Sequence, residues 1–418
     1  MAECDDTYEE AKKPKFDNHQ FRALFTPQMN KLADIFKRYN YELRIAGGAV
    51  RDLLGHIMPQ DVDLATTATP EEMKVMFEKE GVRMLNTKGE KHGTITARIN
   101  DKENFEVTTL RIDKVTDGRH AEVEFTKDWE LDAERRDLTI NSMFLGLDGT
   151  LYDFFGGQQD LAEKKVEFVG NAVSRIQEDY LRILRYFRFY GRISDSDDNH
   201  NIHTLKAIED NAAGLADISG ERIWMELKKI LIGRLAPSTL RCMYQLRLPQ
   251  YIGLPVDGNV DEFKFVWNRS LSMNPKSMTV LCALFNKEED VIILDKRVKL
   301  SVQERKLGLF LVSSRQDVMD TDELKPFKDM VGQTKDKQIF PKVLELLKYK
   351  GNIQLYQDFQ KWEIPKFPVS GKDLINMGIQ PNKKFGRYMD RLREVWKNSD
   401  YTCTKESLLQ HAEQFKSN

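Results

Sequence analysis

The chain has 418 residues, 40% of them hydrophobic and 31% charged, a size that calls for about two to four domains rather than one core. No stretch approaches the roughly eighteen uncharged apolar residues of a membrane span, and the four scattered cysteines, Cys4, Cys242, Cys282 and Cys403, form no CxxC pair that would suggest a zinc site or a disulfide framework. The net charge of -2 hides an asymmetry: residues 331–418 carry 16 Lys+Arg against 10 Asp+Glu, which suits a polyanionic partner held at the C-terminal end.

Residues 1–17 read as a disordered, acidic leader without the Arg-rich amphipathic character of a transit peptide, so a cytoplasmic or nuclear location is the default. A mitochondrial form would require an alternative upstream start. From 18 to about 40 the apolar positions Phe21, Leu24, Phe25, Met29, Leu32 and Ile35 predict one amphipathic helix. Short strands and turns follow to about 155. "LRIA" runs into Gly47-Gly48, a helix starts near Ala49, and Pro59 precedes the strand "DVDLA". Thr69-Pro70-Glu71-Glu72 is a capping box opening a helix to about Glu80. "GTITARI" and "NFEVTTLRI" alternate as strands, "RIDKVTDGRHAEVEF" reads as a loop between strands, and "SMFLGLDGTLYDF" as a hairpin. Beyond about 160 the texture is helical, with breaks expected at Gly214, Gly220, Gly233, Pro249, Pro275, Pro341, Pro365 and Pro381. The seven histidines show no metal spacing, and His92 and His120 in the head read as structural.

On a strand, Asp61 and Asp63 share one face while Val62 and Leu64 take the other. Two carboxylates so close repel unless a cation lies between them, and Mg2+ commonly takes one or two carboxylates together with phosphate oxygens and water. Glu106, in a neighbouring predicted strand, would complete a two-metal site. The double glycine lets backbone N–H groups approach an anion at a helix start, and Arg51 adds a fixed charge. A phosphate cradle beside metal carboxylates is the layout of nucleotidyl transfer.

"IQEDYLRILRYFRFYGRI" reads as one helix, with Glu178, Asp179, Arg182 and Arg185 at spacings that share a face. Ionised Asp only accepts hydrogen bonds and Arg only donates. Cytosine and adenine both offer an exocyclic amine beside a ring-nitrogen acceptor, so Asp179 with Arg182 would accept C and A and leave U and G mismatched. "ISGERIWMELKKIL" reads as a capped helix with Ser219 as the cap and Trp224 and Leu227 in the core.

"LRIAGGAVRDLLGHIMPQDVDLATTATPEEM" closely resembles the first motif of class II tRNA nucleotidyltransferases, the CCA-adding enzymes of the polymerase β superfamily, and further motifs follow in the family's order from about 40 to 400. The resemblance implies an α+β head (18–160) with a polymerase β-like mixed sheet, then an all-α neck (161–235), body (236–335) and tail (336–418). It implies that the 3′-hydroxyl of tRNA attacks CTP twice and then ATP, with Mg2+ on Asp61 and Asp63 and Glu106 assisting. Gly47, Gly48 and Arg51 would position the triphosphate, and Arg135, Arg136, Asp137 and Asn141 the ribose and phosphates. Glu178, Asp179, Arg182 and Arg185 would form the base-selecting group, with "ISGERIWMELKKIL" bracing it. Asp117, Gly118 and Arg119 match the flexible loop tied to the switch from C to A addition. Lys372, Lys383, Lys384 and Arg387 lie in a stretch of eight Lys/Arg against three Asp/Glu, residues 366–397, expected to grip tRNA phosphates. The resemblance fits a monomer or a homodimer. A poly(A) polymerase of the same superfamily and a catalytically silent RNA-binding protein are the alternatives at this stage.

Overall fold

The computed structural model describes residues 15–85, 87–114, 122–318, 323–332, 336–363, 365–379 and 385–416. Thr26 and Pro27 make the first departure from the periodic pattern. Proline holds the residue before it in extended backbone, and Thr26 caps the following helix by accepting from the N–H of Met29 at 3.1 Å. The expected single helix is therefore two, α1 (His19–Ala23) and α2 (Pro27–Arg38). Lys15, Phe16 and Asp17, expected to be disordered, are placed: the Phe16 N–H donates to the Gly149 carbonyl at 2.7 Å, and Lys15 pairs with Asp148 at 2.8 Å.

The head is built on the strands β1 (Leu43–Ala46), β2 (Asp63–Thr66), β3 (Arg83–Leu85), β4 (Thr94–Ile99), β5 (Glu103–Thr109), β6 (Arg111–Lys114), β7 (Glu122–Phe125), β8 (Phe144–Gly146) and β9 (Leu151–Tyr152). Seven of them form one mixed sheet in the order β3-β4-β5-β2-β1-β8-β9, while β6 and β7 pair separately. β2 and β5 run parallel with Asp63 beside Glu106, whereas β1–β2, β1–β8 and β4–β5 are antiparallel. The helices α3 (Gly48–Leu54) and α4 (Pro70–Lys79) join α2 on one face. There Leu32, Ile35, Phe36, Val50, Leu53, Met73 and Phe77 pack on Ile45, Leu64 and Val107. Each such side chain stabilises the head by about 1.5–3 kcal/mol. The capping box at Thr69 and Glu72 is formed. The loop expected over 111–125 is strand at both ends, since Arg111–Lys114 and Glu122–Phe125 pair as β6 and β7, and Asp117, Gly118, Arg119 and His120 lie outside the described residues.

In chain order the further helices of this unit include α5 (Trp129–Glu134), α6 (Gly157–Ala162), α7 (Ala172–Glu178), α8 (Leu181–Ile193), α9 (Ile202–Asn211), α10 (Gly220–Leu231) and α11 (Ala236–Gln245). α8 buries Ile183, Leu184 and Phe187, and α10 buries Ile223, Trp224 and Leu227, as its period predicts. Arg188 of α8 joins Glu226 of α10 at 3.2 Å. Ser219 occupies the cap position of α10 without a side-chain capping bond, contrary to expectation. All of these elements belong to one compact unit, which runs to Val256 and includes Arg297–Lys299.

A second unit, Asp257–Lys296 with Leu300–Asn418, has no strand among its described residues. Its helices include Val260–Ser270, Val302–Val318, Ile339–Lys350, Gly371–Asn376, Phe385–Asn398 and Lys405–Lys416. Pro341 breaks nothing: it sits in the first turn of Ile339–Lys350, where its missing N–H has no intrahelical partner to lose. Leu374, Leu392, Trp396 and Leu408 form the core beneath the basic stretch. Lys372 and Arg387 are exposed there, while Pro381, Lys383 and Lys384 lie outside the described residues.

Candidate active site

A cavity of about 970 Å³ opens in the first unit, and it collects most of the motif residues. Gly47, Gly48, Arg51, Asp61, Asp63, Arg135, Arg136, Asp137, Asn141, Asp179, Arg182 and Arg185 all line it. Ten of its lining side chains are Arg or Lys and six are Asp, an excess of positive charge suited to a polyanion.

Gly47 explains why the motif needs glycine. Its φ is +59°, and a Cβ there would lie 2.8 Å from an Arg136 guanidinium nitrogen and 3.3 Å from the Asn141 carbonyl oxygen. Its own N–H is taken by the Met143 carbonyl at 3.0 Å, so the cradle is narrower than a double glycine suggests and falls to the first amides of α3. Arg51 is 5% exposed and donates to Asn141 and to Asp52, the latter at 2.9 and 3.0 Å. It forms part of the cavity wall and is held by these partners, a fixed charge as the sequence suggested.

The strand carrying the acidic pair begins at Asp63, and Asp61 sits in the bend before it, so alternation along a strand does not set their common side. Both nevertheless line the same cavity, and Glu106 stands beside Asp63 in register on β5. Burial raises the Asp63 carboxyl above its ordinary value, Arg136 opposes that, and Asp61 adds to it. Among the described residues no three His, Cys, Asp or Glu side chains converge into a closed metal cage. An open pair of hard oxygen donors under mutual repulsion fits a divalent ion that completes its shell from substrate phosphates and water.

Arg135 and Arg136 are fixed by a residue the sequence reading missed. Asp132 on α5 is 1% exposed and accepts from Arg135 at 2.9 and 2.7 Å, from Arg136 at 3.2 and 3.0 Å, and from the Arg111 N–H at 3.1 Å. Its burial acts to raise its pKa, but Arg136 and Arg135 outweigh this and the net shift is downward. The spacing of Asp132 at i−3 and i−4 from the two arginines was the available signal. Asp137 is likewise buried, accepting from Arg185 at 2.5 Å, from Asn141 at 3.2 Å and from the Leu138 N–H at 2.9 Å. Again burial would raise its pKa, and Arg185 with these hydrogen bonds brings it below the ordinary value.

The expected single helix over 176–193 is broken. α7 ends at Glu178, Asp179 is extended with φ −156° and ψ 102°, and α8 starts at Leu181. Asp179 accepts from the Leu181 N–H at 3.2 Å, and the Tyr180 ring rests on Gly214, where an added Cβ would come within 2.2 Å of ring carbons. The group thus does not share one helix face: Glu178 is not among the cavity-lining residues, while Asp179, Arg182 and Arg185 are. Asp179 also accepts from Arg222 of α10 at 2.7 Å. Arg182 donates to Glu178 at 2.7 Å and to the carbonyls of Arg135 and Arg175 at 2.8 and 3.1 Å.

Residues 43–167 match the family described as "Poly A polymerase head domain", and residues 201–255 match "Probable RNA and SrmB-binding site of polymerase A". Over 394 residues the chain is 58% identical to CCA tRNA nucleotidyltransferase 1, mitochondrial, of Danio rerio, covering 93% of this chain and 91% of that protein. The chain belongs to the CCA tRNA nucleotidyltransferase family. Its human relative of the same name is 53% identical over 401 residues, 95% of this chain and 92% of that one. The fold agrees: the Bacillus stearothermophilus CCA-adding enzyme, solved in complex with CTP, superposes with a TM-score of 0.77 at 23% identity, covering 96% of this chain and 100% of that one. In this CCA-adding chain the cavity also contains Arg188, Phe189 and Arg192, which continue the series from Arg182 and Arg185 along one face of α8. Extending the i+3/i+4 spacing would have found them. Arg111, Asp113 and Lys229 have no such local signature, because β6 and α10 bring them in from distant segments.

Proposed function

We propose the following division of labour for the addition of C, C and A to the tRNA 3′ end. Asp61 and Asp63 hold Mg2+, which when bound neutralises charge on the triphosphate and the leaving pyrophosphate. The first amides of α3, with Arg135 and Arg136 fixed by Asp132, orient the triphosphate. Glu106 takes the proton of the 3′-hydroxyl as its oxygen bonds to the α-phosphorus and the bond to the bridging oxygen breaks, releasing pyrophosphate. Asp137, which holds Arg185, and Asn141 set the floor on which the ribose lies. Asp179 accepts the exocyclic amine of C or A and Arg182 donates to the ring nitrogen, each exchanging a present partner, Arg222 and Glu178 respectively, for the base.

The observation that carries this reading is the single cavity with the acidic pair at its wall and Asp179 with Arg182 on the helical side. The loop residues Asp117, Gly118 and Arg119 keep their proposed part in the switch to A. The tail, through Lys372, Lys383, Lys384 and Arg387, grips the tRNA backbone, so KM for tRNA should rise with salt. The relatives' names carry "mitochondrial", which supports a mitochondrial pool beside a cytoplasmic or nuclear one. The test is incubation with Mg2+, all four NTPs and tRNA lacking its 3′ end, followed by sequencing. Products that stop at CCA are expected, and a long A tract would refute the reading.

A further inference from the structure

Of Asp179, Arg182 and Arg185, Asp179 alone lies outside a helix: α7 ends at Glu178, α8 begins at Leu181, and the Asp179 backbone is extended. Its placement therefore rests on neighbours, and two of them come from one short segment, residues 214–222. Gly214 takes the Tyr180 ring, and Arg222 donates to the Asp179 carboxylate at 2.7 Å. That segment is held in turn by Arg297, in the last turn of the helix Glu288–Val298 and part of the first unit. One guanidinium nitrogen donates to the carbonyls of Leu215, Ala216 and Ile218 at 2.7, 3.3 and 3.0 Å, and Nε donates to that of Tyr251 at 2.9 Å. The first three lie at the end of the 3-10 helix Ala212–Asp217, where carbonyl oxygens favour a cation. The main chain of the same residue is the floor under Gly220, where an added Cβ would come within 2.2 Å of the Arg297 carbonyl oxygen. α10 starts at Gly220 with no capping bond from the Ser219 side chain, so this close seat stands in for a cap at the turn that carries Arg222.

We infer that Arg297 is a positioning residue for nucleotide choice: it fixes residues 214–222 and, through them, the Asp179 carboxylate. The inference rests on the functional reading above and adds to it a residue that is not among those lining the cavity. Discrimination by hydrogen bonding works only while the reading group is fixed, because the wrong base must leave a buried polar group unpaired. An acceptor free to shift can turn away from the mismatch, and U or G then costs less to admit. Arg297 removes that freedom by tying down three successive parts of the supporting segment: the carbonyls beyond Gly214, the one before Ser219, and the backbone at Gly220.

The experiment measures kcat/KM for CTP and for UTP on a tRNA lacking its 3′ end, in the full-length protein and its variants. The ratio of the two is independent of how much protein is folded, so a merely structural loss leaves it unmoved. Arg297→Met, which keeps the stem and removes every donor, should lower the ratio by about tenfold, and Arg297→Lys, which keeps the charge and part of the bonding, by about threefold. Leu32→Ala, a destabilised control in the head core, should keep the ratio within about twofold of wild type. In an Asp179→Ala background, adding Arg297→Met should change the ratio no further, because the residue through which Arg297 acts is already gone. An unchanged ratio in Arg297→Met, an equal fall in Leu32→Ala, or a further fall on top of Asp179→Ala would each overturn the assignment. If Arg297→Met yields no folded protein, Arg297→Lys decides alone, and a ratio equal to wild type refutes the inference. A wild-type protein without preference for CTP over UTP, or an Asp179→Ala variant that keeps that preference, would instead sink the functional reading, and this inference with it.

Discussion

Replacing Asp132 tests whether charge compensation or mere hydrogen-bond shape holds the arginine pair proposed to face the triphosphate. The carboxylate is 1% exposed, and both of its oxygens accept from guanidinium groups. Breaking a buried pair by removing one partner costs about 3–5 kcal/mol, because the remaining charge is left uncompensated. Asp132→Ala should therefore destabilise the head by about that amount, and Asp132→Asn by most of it, since the amide keeps an acceptor but not the charge. Hydrogen–deuterium exchange over residues 129–146 would localise the loss to the head, and CTP titration would show weakened binding as Arg135 and Arg136 lose their alignment. The pH dependence has a definite sign. A carboxyl whose folded pKa is lowered stabilises fully above its unfolded value of about 3.9 and loses that contribution as pH falls through the folded value. The gap between wild type and Asp132→Asn should thus be constant near neutrality and close below about pH 4. An Asn variant as stable as wild type at pH 7 would refute the argument from charge.

Gly47→Ala should abolish CTP binding while leaving most of the head folded, because the added methyl must displace the Arg136 guanidinium at a backbone φ of +59°; calorimetric titration with CTP reads this out. His200, stacked on Tyr190 and hydrogen-bonded to Tyr186 at 2.8 Å, has its pKa lowered to about 4, mainly by burial. The first unit should lose stability as pH falls from about 6.5 to 4, where the unfolded imidazole binds a proton that the folded one does not, by about 1–2 kcal/mol once solvent screening of the half-buried ring is allowed for, and His200→Gln should flatten that slope in urea titrations. Arg182→Ala should relax nucleotide choice so that U and G enter with CTP and ATP present, as product sequencing would show; intact C and A selection would remove Arg182 from the reader.

Local spacing made the acidic pair, the glycines and the arginine pair legible as residues that line one cavity, because each is a short run whose members lie close in sequence. Where neighbours came from afar the sequence was silent. Nothing in "QEDYLR" announces that the helix parts at Asp179, where the Tyr180 ring lies against Gly214 from another segment. That Arg51 would be a fixed charge was legible, but not that Asn141, 90 positions away, is one of the acceptors that fix it. Pro341 read as a breaker because its place within the first helical turn depends on where the turn begins. Conversely, Ser219 has the right residue type for a cap and makes no capping bond, so composition at a helix start sets an opportunity and packing decides its use.

The seat of Tyr180 on Gly214 places a constraint on fidelity far from any substrate. The hydrogen on that glycine's Cα is the surface against which the residue between Asp179 and Leu181 sits, so the placement of the carboxylate proposed to read the base depends on a position outside the cavity lining. A methyl group there would push on the Tyr180 ring and adds nothing to the cavity lining that carries Asp61, Asp63, Arg135 and Arg136. What it would disturb is accuracy, giving tRNA ends of the right length and the wrong letters.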